Sequence, residues 1–186
     1  MKLSDSRYED IKAIVGDVYE AYNISSLPIN VYELARKMDI KLIPYSSLSA
    51  AALEASKFFS PDGYSVEGLD SKWTIYYNDI DQPQSRINQT ILHEIGHYIL
   101  GHINPGYEEE AEAQFFAKFM LVSPAVIQHA VPFFSEEYLM DTFGISFQSA
   151  NIALDNYYKR FTYGPIDYQP YEIKMLSQLG FIAANI

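Results

Sequence analysis

The sequence predicts an α+β fold that is mostly helical, with a small β-sheet ahead of one central helix. Apolar residues recur at helical spacing through several long segments, of which 5–22 and 85–100 are the clearest. Only two short segments, 40–43 and 73–77, have the β-branched and aromatic character of strands. Hydrophobic residues make up 48% of the 186 residues and aromatic residues 15%, which is enough for a globular domain with a large core.

The first half of the chain contains short elements separated by turn residues. Asn30 followed by Glu33 is a capping pattern, so a second helix is expected to begin directly after Asn30. Pro44 is expected to end the first strand. The elements predicted here are helices 5–22 and 31–38, a strand at 40–43, a turn at 60–63 and a strand at 73–77.

The second half is predicted to be helical throughout. Gly101 is expected to end the central helix, and Ser123 before Pro124 is the pattern of a cap followed by proline in the first helical position. The helix that starts at 107 is acidic in its first turn, which complements the helix dipole. The predicted segments are helices 85–100, 107–121, 124–130, 135–143 and 147–160, a loop at 161–170 and a last helix at 171–179.

The most informative pattern is HExxH at residues 93–97, which contains two of the four histidines in the chain. On a helix His93 and His97 lie on one face, about one turn apart, so their imidazole nitrogens can bind the same Zn²⁺. Glu94 can then lie beside a water on the metal and act as a general base. The chain has no cysteine, so a zinc site must use His, Asp or Glu, which suits an open catalytic site.

A catalytic zinc needs a third protein ligand, and the helix from 107 offers several carboxylates. Glu112 shares a face with apolar residues of that helix, and a carboxylate on an inward face needs a partner such as a cation. It is the preferred third ligand. Glu108, Glu110 and His102 remain alternatives, and Glu108 or His102 could instead support the ligands through hydrogen bonds.

Four stretches of the chain form a recognisable set: PINV at 28–31 with LA at 34–35 and the strand that follows, WTIYYN at 73–78, RINQTILHEIGHYILGH at 86–102, and EAEAQFFAKFMLVSP at 110–124. In these stretches the chain resembles the ImmA/IrrE family of zinc-dependent metallopeptidases. The resemblance implies a zincin-like metallopeptidase domain over residues 1–161, with 162–186 as a C-terminal extension packed on it. It also implies that the Glu of a Glu-Ala pair, here Glu112-Ala113, is the third ligand, although Gln114 stands where the family more often has Asn or Asp.

The resemblance further implies cleavage of a protein substrate, typically a DNA-binding transcriptional repressor of a mobile element or a stress response. Tyr76, Tyr77, Tyr98 and His102 are candidate donors to the oxyanion formed during cleavage. The strand at 73–77 would be able to pair with an extended substrate if it lay at a sheet edge. Zinc is the expected cofactor, and Mn²⁺ or Fe²⁺ also suits a His₂Glu site.

Composition and charge restrict the other classes of function. The net charge of −11 disfavours direct binding to nucleic acid. No apolar run is long enough to span a membrane, and residues 1–15 lack a signal-peptide core, so a cytoplasmic location is expected. Two alternatives stay open. Residues 143–146 and the helix after them resemble part of a helix-turn-helix DNA-binding regulator, and the HExxH helix could belong to a non-catalytic metal sensor.

Overall fold

The computed structural model describes residues 3–69, 71–103 and 105–183, and it confirms a mostly helical α+β fold with a small sheet. None of the helices in these ranges has the length and apolar character that crossing a membrane requires. The helices are α1 (Asp5–Ala21), α2 (Val31–Lys37), α3 (Ala50–Phe59), α4 (Gln84–Leu100), α5 (Tyr107–Leu121), α6 (Pro124–Ala130), α7 (Glu136–Phe143), α8 (Phe147–Tyr163) and α9 (Pro170–Gln178). A single 3₁₀ turn, Tyr45–Ser47, follows the first strand.

The sheet has three strands in the order β1-β3-β2, where β1 is Lys41–Pro44, β2 is Gly63–Glu67 and β3 is Trp73–Tyr77. β1 runs parallel to β3, and β2 runs antiparallel to it. The central position of β3 corrects the idea that it offers a free edge to a substrate, because both of its sides are already paired. β2 is instead an edge strand of the sheet. It also lines the cleft beside α4.

Most of the predicted helices are present with small changes at their ends. The Asn30 side chain accepts the N–H of Glu33 at 3.0 Å, which confirms the predicted cap of α2. Gly101 ends α4 with φ of 70°, and Gly144 ends α7 with φ of 64°, both in the left-handed region. α8 continues to Tyr163, so the predicted loop begins three residues late.

Two elements between the predicted strands were not expected. α3 occupies a segment that begins with Ser49 as its cap, and β2 forms directly after the predicted turn at 60–63. Both contribute to the surroundings of the HExxH helix, because Phe59 at the end of α3 and most of β2 line the cleft beside it.

The chain divides into two compact units. The first comprises Asn30–Ala117 and holds the sheet, α2 to α4 and the first part of α5. Its interior includes the fully buried side chains of Ile75, Ile91 and Ile95, so α4 packs on the sheet through its apolar side. Every residue predicted for the metal site belongs to this unit.

The second unit comprises the described residues before Asn30 and after Ala117. Within it α9 packs along α1, and the close approach of the two helices depends on Gly16, where a Cβ atom would lie 2.8 Å from the Cα of Tyr171. The buried Tyr19 hydroxyl donates to the carbonyl of Met120 at 2.9 Å. The division into residues 1–161 and a C-terminal extension stays a prediction, and residues 184–186 of that extension lie outside the described ranges.

Candidate metal centre

Helix α4 presents the two histidines of the motif on one face. His97 lies four positions after His93, and their Nε2 atoms lie 3.1 Å apart. The rings are nearly perpendicular, with centroids 4.7 Å apart. Both nitrogens therefore point to one small volume beside the helix, as i,i+4 spacing requires for two ligands of one ion.

Helix α5 brings a carboxylate to the same volume. The Glu110 oxygens lie 3.2 Å from His93 Nε2 and 3.4 Å from His97 Nε2. Gly96 allows α5 to come this close, because a Cβ at that position would lie 3.2 Å from the Cα of Ala113. Among residues 3–69, 71–103 and 105–183, the side chains of His93, His97 and Glu110 form a group that could hold a metal ion, which is called the metal-ligating group below.

The spacing of these three donors fits a zinc-sized ion. With bonds of about 2.0–2.1 Å to a tetrahedral Zn²⁺, the ligand atoms of one ion lie about 3.3–3.4 Å apart. The two histidine Nε2 atoms are 3.1 Å apart, His93 Nε2 lies 3.2 Å from Glu110 Oε2, and His97 Nε2 lies 3.4 Å from the other oxygen, Oε1, so each of these separations is close to that value. Two imidazoles and one carboxylate are also the donor set of catalytic zinc sites that keep a fourth position open.

Glu112, which the sequence favoured as the third ligand, occupies a different position. Its carboxylate lies 3.0 Å from His102 Nε2, and His102 Nδ1 lies 2.9 Å from His97 Nδ1. Successive residues of a helix turn by about 100°, so Glu110 and Glu112 point in directions about 200° apart. In the structure Glu110, with half of its side chain exposed at the cleft, joins the histidines, while Glu112 is buried behind them.

The two remaining ligand alternatives do not join the group either. His102 is buried and faces the outer nitrogen of His97 rather than the Nε2 atoms. Glu108 is exposed on the first turn of α5.

The side chain of Glu94 extends from α4 to Ser65 of β2 and is almost fully buried. Burial raises the pKa of its carboxyl group to about 7, although the Ser65 hydroxyl, which donates to Glu94 Oε2 at 2.7 Å, acts in the opposite direction. A carboxyl with a pKa near neutrality can both accept and return a proton at physiological pH. No local pattern in the sequence indicated Ser65, because this residue lies on β2, a strand that was not predicted.

The two histidines are held in the neutral form that a metal needs. Burial lowers the pKa of His93 to about 4, and the same cause, together with the neighbouring His93, lowers the pKa of His97 to about 4. At pH 7 each ring therefore keeps a nitrogen lone pair available for a cation.

A cleft of about 760 Å³ opens beside the three donors. β2 contributes a continuous wall from Gly63 to Glu67, and α4 contributes the histidines and Glu94. Phe59, Trp73 and Ile103 add apolar surface. A cleft with an edge strand on one wall has room for a peptide in extended form.

The tyrosines predicted as oxyanion donors lie elsewhere. Among the described residues that line the cleft, Tyr76, Tyr77 and Tyr98 are not included. The Tyr76 ring stacks on Tyr64 with centroids 5.0 Å apart, and Tyr98 packs edge-on against Trp73. Tyr77 is buried and packs edge-on against Tyr32. Their contacts are those of packing residues, and the assignment of an oxyanion donor to them has no support in the geometry.

Two histidines and a carboxylate around one point, with a buried acid directly after the first histidine, are the side chains expected of a metallopeptidase. The family model Peptidase M78, described as the IrrE N-terminal-like domain, matches residues 37–155, and the chain belongs to this family. The matched range contains the whole metal-ligating group and Glu94. A comparison with curated proteins gave no match.

Proposed function

We propose that the chain is a zinc-dependent endopeptidase in which His93, His97 and Glu110 bind the metal and Glu94 is the general base. The observation that carries the proposal is the agreement between the donor distances of 3.1–3.4 Å and the geometry of a tetrahedral ion, next to a buried carboxylate of raised pKa. Glu110 replaces Glu112 as third ligand because it alone of the two faces the histidine Nε2 atoms.

Each group in the cleft has a separate role in the proposed cleavage reaction. When bound, Zn²⁺ would polarise the peptide carbonyl and increase the acidity of the attacking water. Glu94 accepts the proton from that water and returns it to the leaving amine, which its pKa of about 7 allows in both directions. Ser65 holds the carboxylate in place through its hydroxyl. The edge strand β2 pairs with the extended backbone of the substrate.

Two variants separate the role of the metal from that of the base. Glu94→Gln keeps the size of the side chain and all three ligands, so it should bind one metal ion per chain and lose peptidase activity by several orders of magnitude. Glu110→Ala should lose tight metal binding, and so should His93→Ala. Metal analysis after dialysis and a peptidase assay on the same samples make the comparison. Full activity of Glu94→Gln would refute the base, and unchanged metal content of Glu110→Ala would refute the ligand.

The metal itself needs a direct comparison. A His₂Glu donor set also accepts Mn²⁺ and Fe²⁺. Metal-free protein should therefore be loaded with each ion in turn, with Fe²⁺ under anaerobic conditions. We expect the highest peptidase activity with Zn²⁺, and higher activity with another ion would reject zinc.

The proposed substrate is a cytoplasmic protein, specifically a DNA-binding transcriptional repressor of a mobile element or stress response. This part of the proposal follows from the resemblance of the chain to its family. The net charge of −11 is consistent with a protease that does not bind DNA itself. If a neighbouring gene encodes a DNA-binding repressor, purified metal-loaded protein should be incubated with that repressor, and the products should be identified by mass spectrometry. Cleavage at one site by the wild type and none by Glu94→Gln is the expected result. An intact repressor under conditions in which the enzyme cleaves other peptides would reject this substrate.

A further inference from the structure

We propose that His102 and Glu112 are positioning residues that fix the ring of His97 so that its Nε2 lone pair points at the metal. The inference rests on the proposed function, because it concerns a residue proposed as a ligand. It assigns a role to two buried polar side chains that the proposed cleavage reaction does not otherwise use.

The three side chains form one continuous chain of hydrogen bonds. His97 Nδ1 and His102 Nδ1 are 2.9 Å apart, and His102 Nε2 lies 3.0 Å from Glu112 Oε2. The relative exposures of the three residues are 5%, 8% and 6%, so water scarcely competes for these bonds. Buried polar groups that partner each other completely are held in a single arrangement.

Only one distribution of protons satisfies this chain and leaves His97 able to bind a metal. The Glu112 carboxylate is an acceptor, so His102 must donate from Nε2. In a neutral imidazole the other nitrogen is then an acceptor, so His102 Nδ1 accepts from His97 Nδ1–H. His97 Nε2 consequently has no hydrogen, and its lone pair faces Glu110 and His93. The reverse arrangement would place a hydrogen on His97 Nε2 and prevent coordination.

The backbone turn at the end of α4 places His102 next to His97. In a continuous helix a residue five positions on points about 140° away from the first. Gly101 adopts φ of 70°, and the His102 N–H donates to the carbonyl of His97 at 3.0 Å. This turn places the His102 ring beside the outer nitrogen of His97, with ring centroids 5.1 Å apart.

Glu112 reaches His102 because α5 presents Glu110 and Glu112 to opposite sides of the His97 ring. Glu110 contacts the histidine Nε2 atoms from the cleft, and Glu112 supports one of those rings from the interior. Partners of this kind on the second nitrogen of a ligating histidine fix its tautomer, and their removal typically weakens metal binding by about 10–100-fold.

The test compares variants that keep or remove one acceptor. Glu112→Gln retains an oxygen that can accept from His102 Nε2–H, whereas Glu112→Met and His102→Phe fill similar space without completing the chain. Zinc affinity is measured by competition with a chelating indicator. We expect Glu112→Gln to bind within a few-fold of the wild type, and Glu112→Met and His102→Phe to bind about 10–100-fold more weakly.

A second readout and a control distinguish positioning from a general effect on the fold. Nitrogen-15 NMR of the metal-free protein reports which His97 nitrogen carries the hydrogen. We expect Nδ1–H in the wild type and in Glu112→Gln, and Nε2–H in His102→Phe. Tyr45→Phe removes the hydrogen bond that the buried Tyr45 donates to the Ser60 carbonyl, a contact that involves none of the three residues above, and should lower stability without changing zinc affinity or the His97 tautomer.

The outcomes separate this inference from the proposed function. If the wild type binds zinc tightly and Glu112→Met and His102→Phe bind it equally well, the positioning role is refuted and the metal site stands. Nε2–H on His97 in the metal-free wild type also refutes it. If the wild type binds no metal, the proposed function fails, and the positioning role fails with it.

Discussion

The close contact between α4 and α5 at Gly96 predicts that Gly96→Ala will change both helix packing and metal binding. A Cβ atom at Gly96 would lie 3.2 Å from the Cα of Ala113 and 3.1 Å from a ring carbon of Phe116. These distances are tighter than normal van der Waals contact, and the Ala113 atom belongs to the backbone. In Gly96→Ala, α5 must therefore move away from α4 by a few tenths of an ångström.

Two effects of opposite sign determine the stability of Gly96→Ala. Alanine in place of glycine inside a helix favours folding by about 1 kcal/mol. Overpacking of a close contact costs about 1–3 kcal/mol. Because the clash involves backbone on the facing helix, we expect the cost to prevail, with a net loss of up to about 2 kcal/mol in the metal-free protein. Denaturant unfolding with the metal removed measures it.

The effect on the metal should be more specific than the effect on stability. Glu110 and Glu112 both lie on α5, whereas His93 and His97 lie on α4, so the shift separates the ligands from each other. We expect zinc affinity to fall about tenfold, which corresponds to about 1.4 kcal/mol. The matched control is Gly16→Ala, where the added Cβ would meet Tyr171 between α1 and α9 in the other unit. It should lose stability and keep its zinc affinity.

The refuting results for Gly96→Ala are clear. A gain of about 1 kcal/mol in the metal-free protein would show that the helix contact tolerates a methyl group, as an exposed helical position does. Unchanged zinc affinity would show that the spacing of the two helices does not control the ligand geometry.

Three further predictions concern the metal and two buried groups. Zinc at about 100 times its Kd should stabilise the protein by about 2.7 kcal/mol, so a chelator should lower the Tm, and an unchanged Tm would contradict the site. Arg160→Met leaves the buried Glu172 carboxylate without its cationic partner, which now contacts it at 2.7 and 2.8 Å. The variant should cost about 3–5 kcal/mol in denaturant unfolding, and Arg160→Met with Glu172→Met should recover most of that loss. Burial raises the pKa of Tyr45 to about 12, above about 10 in the unfolded chain. The free energy of unfolding should therefore fall as pH rises from 10 toward 12, and Tyr45→Phe should make that fall less steep.

Local signals in the sequence were sufficient to predict the helix that carries the HExxH motif. Its apolar side, the glycine at its end and the spacing of His93 and His97 are all properties of neighbouring residues, and each is present in the structure. The same holds for the cap at Asn30. These features depend on backbone geometry within a few residues, which periodicity and capping rules describe well.

The elements between the two predicted strands show where such reasoning stops. α3 carried a readable signal, because Ser49 precedes three alanines and its side chain accepts the N–H of Ala52. β2 did not, since Gly63–Glu67 is short and contains glycine and serine. It becomes a strand by pairing antiparallel with β3, and that pairing is a long-range contact that no local pattern encodes. Ser65, which supports Glu94, was missed for this reason.

A physical reason explains why the sequence favoured Glu112 as third ligand whereas Glu110 is the carboxylate that faces the histidine Nε2 atoms. The sequence argument looked for a carboxylate on the apolar face of α5, because a buried charge needs a partner. That criterion selected the buried residue, since Glu112 is only 6% exposed, but its carboxylate lies 3.0 Å from His102 Nε2 rather than beside the Nε2 atoms of His93 and His97. A catalytic metal must reach the substrate, so its ligands lie at the border between interior and cleft, where half of the Glu110 side chain is exposed. In the proposed site the buried carboxylate therefore supports a ligand through His102, and the carboxylate that faces the open cleft binds the ion.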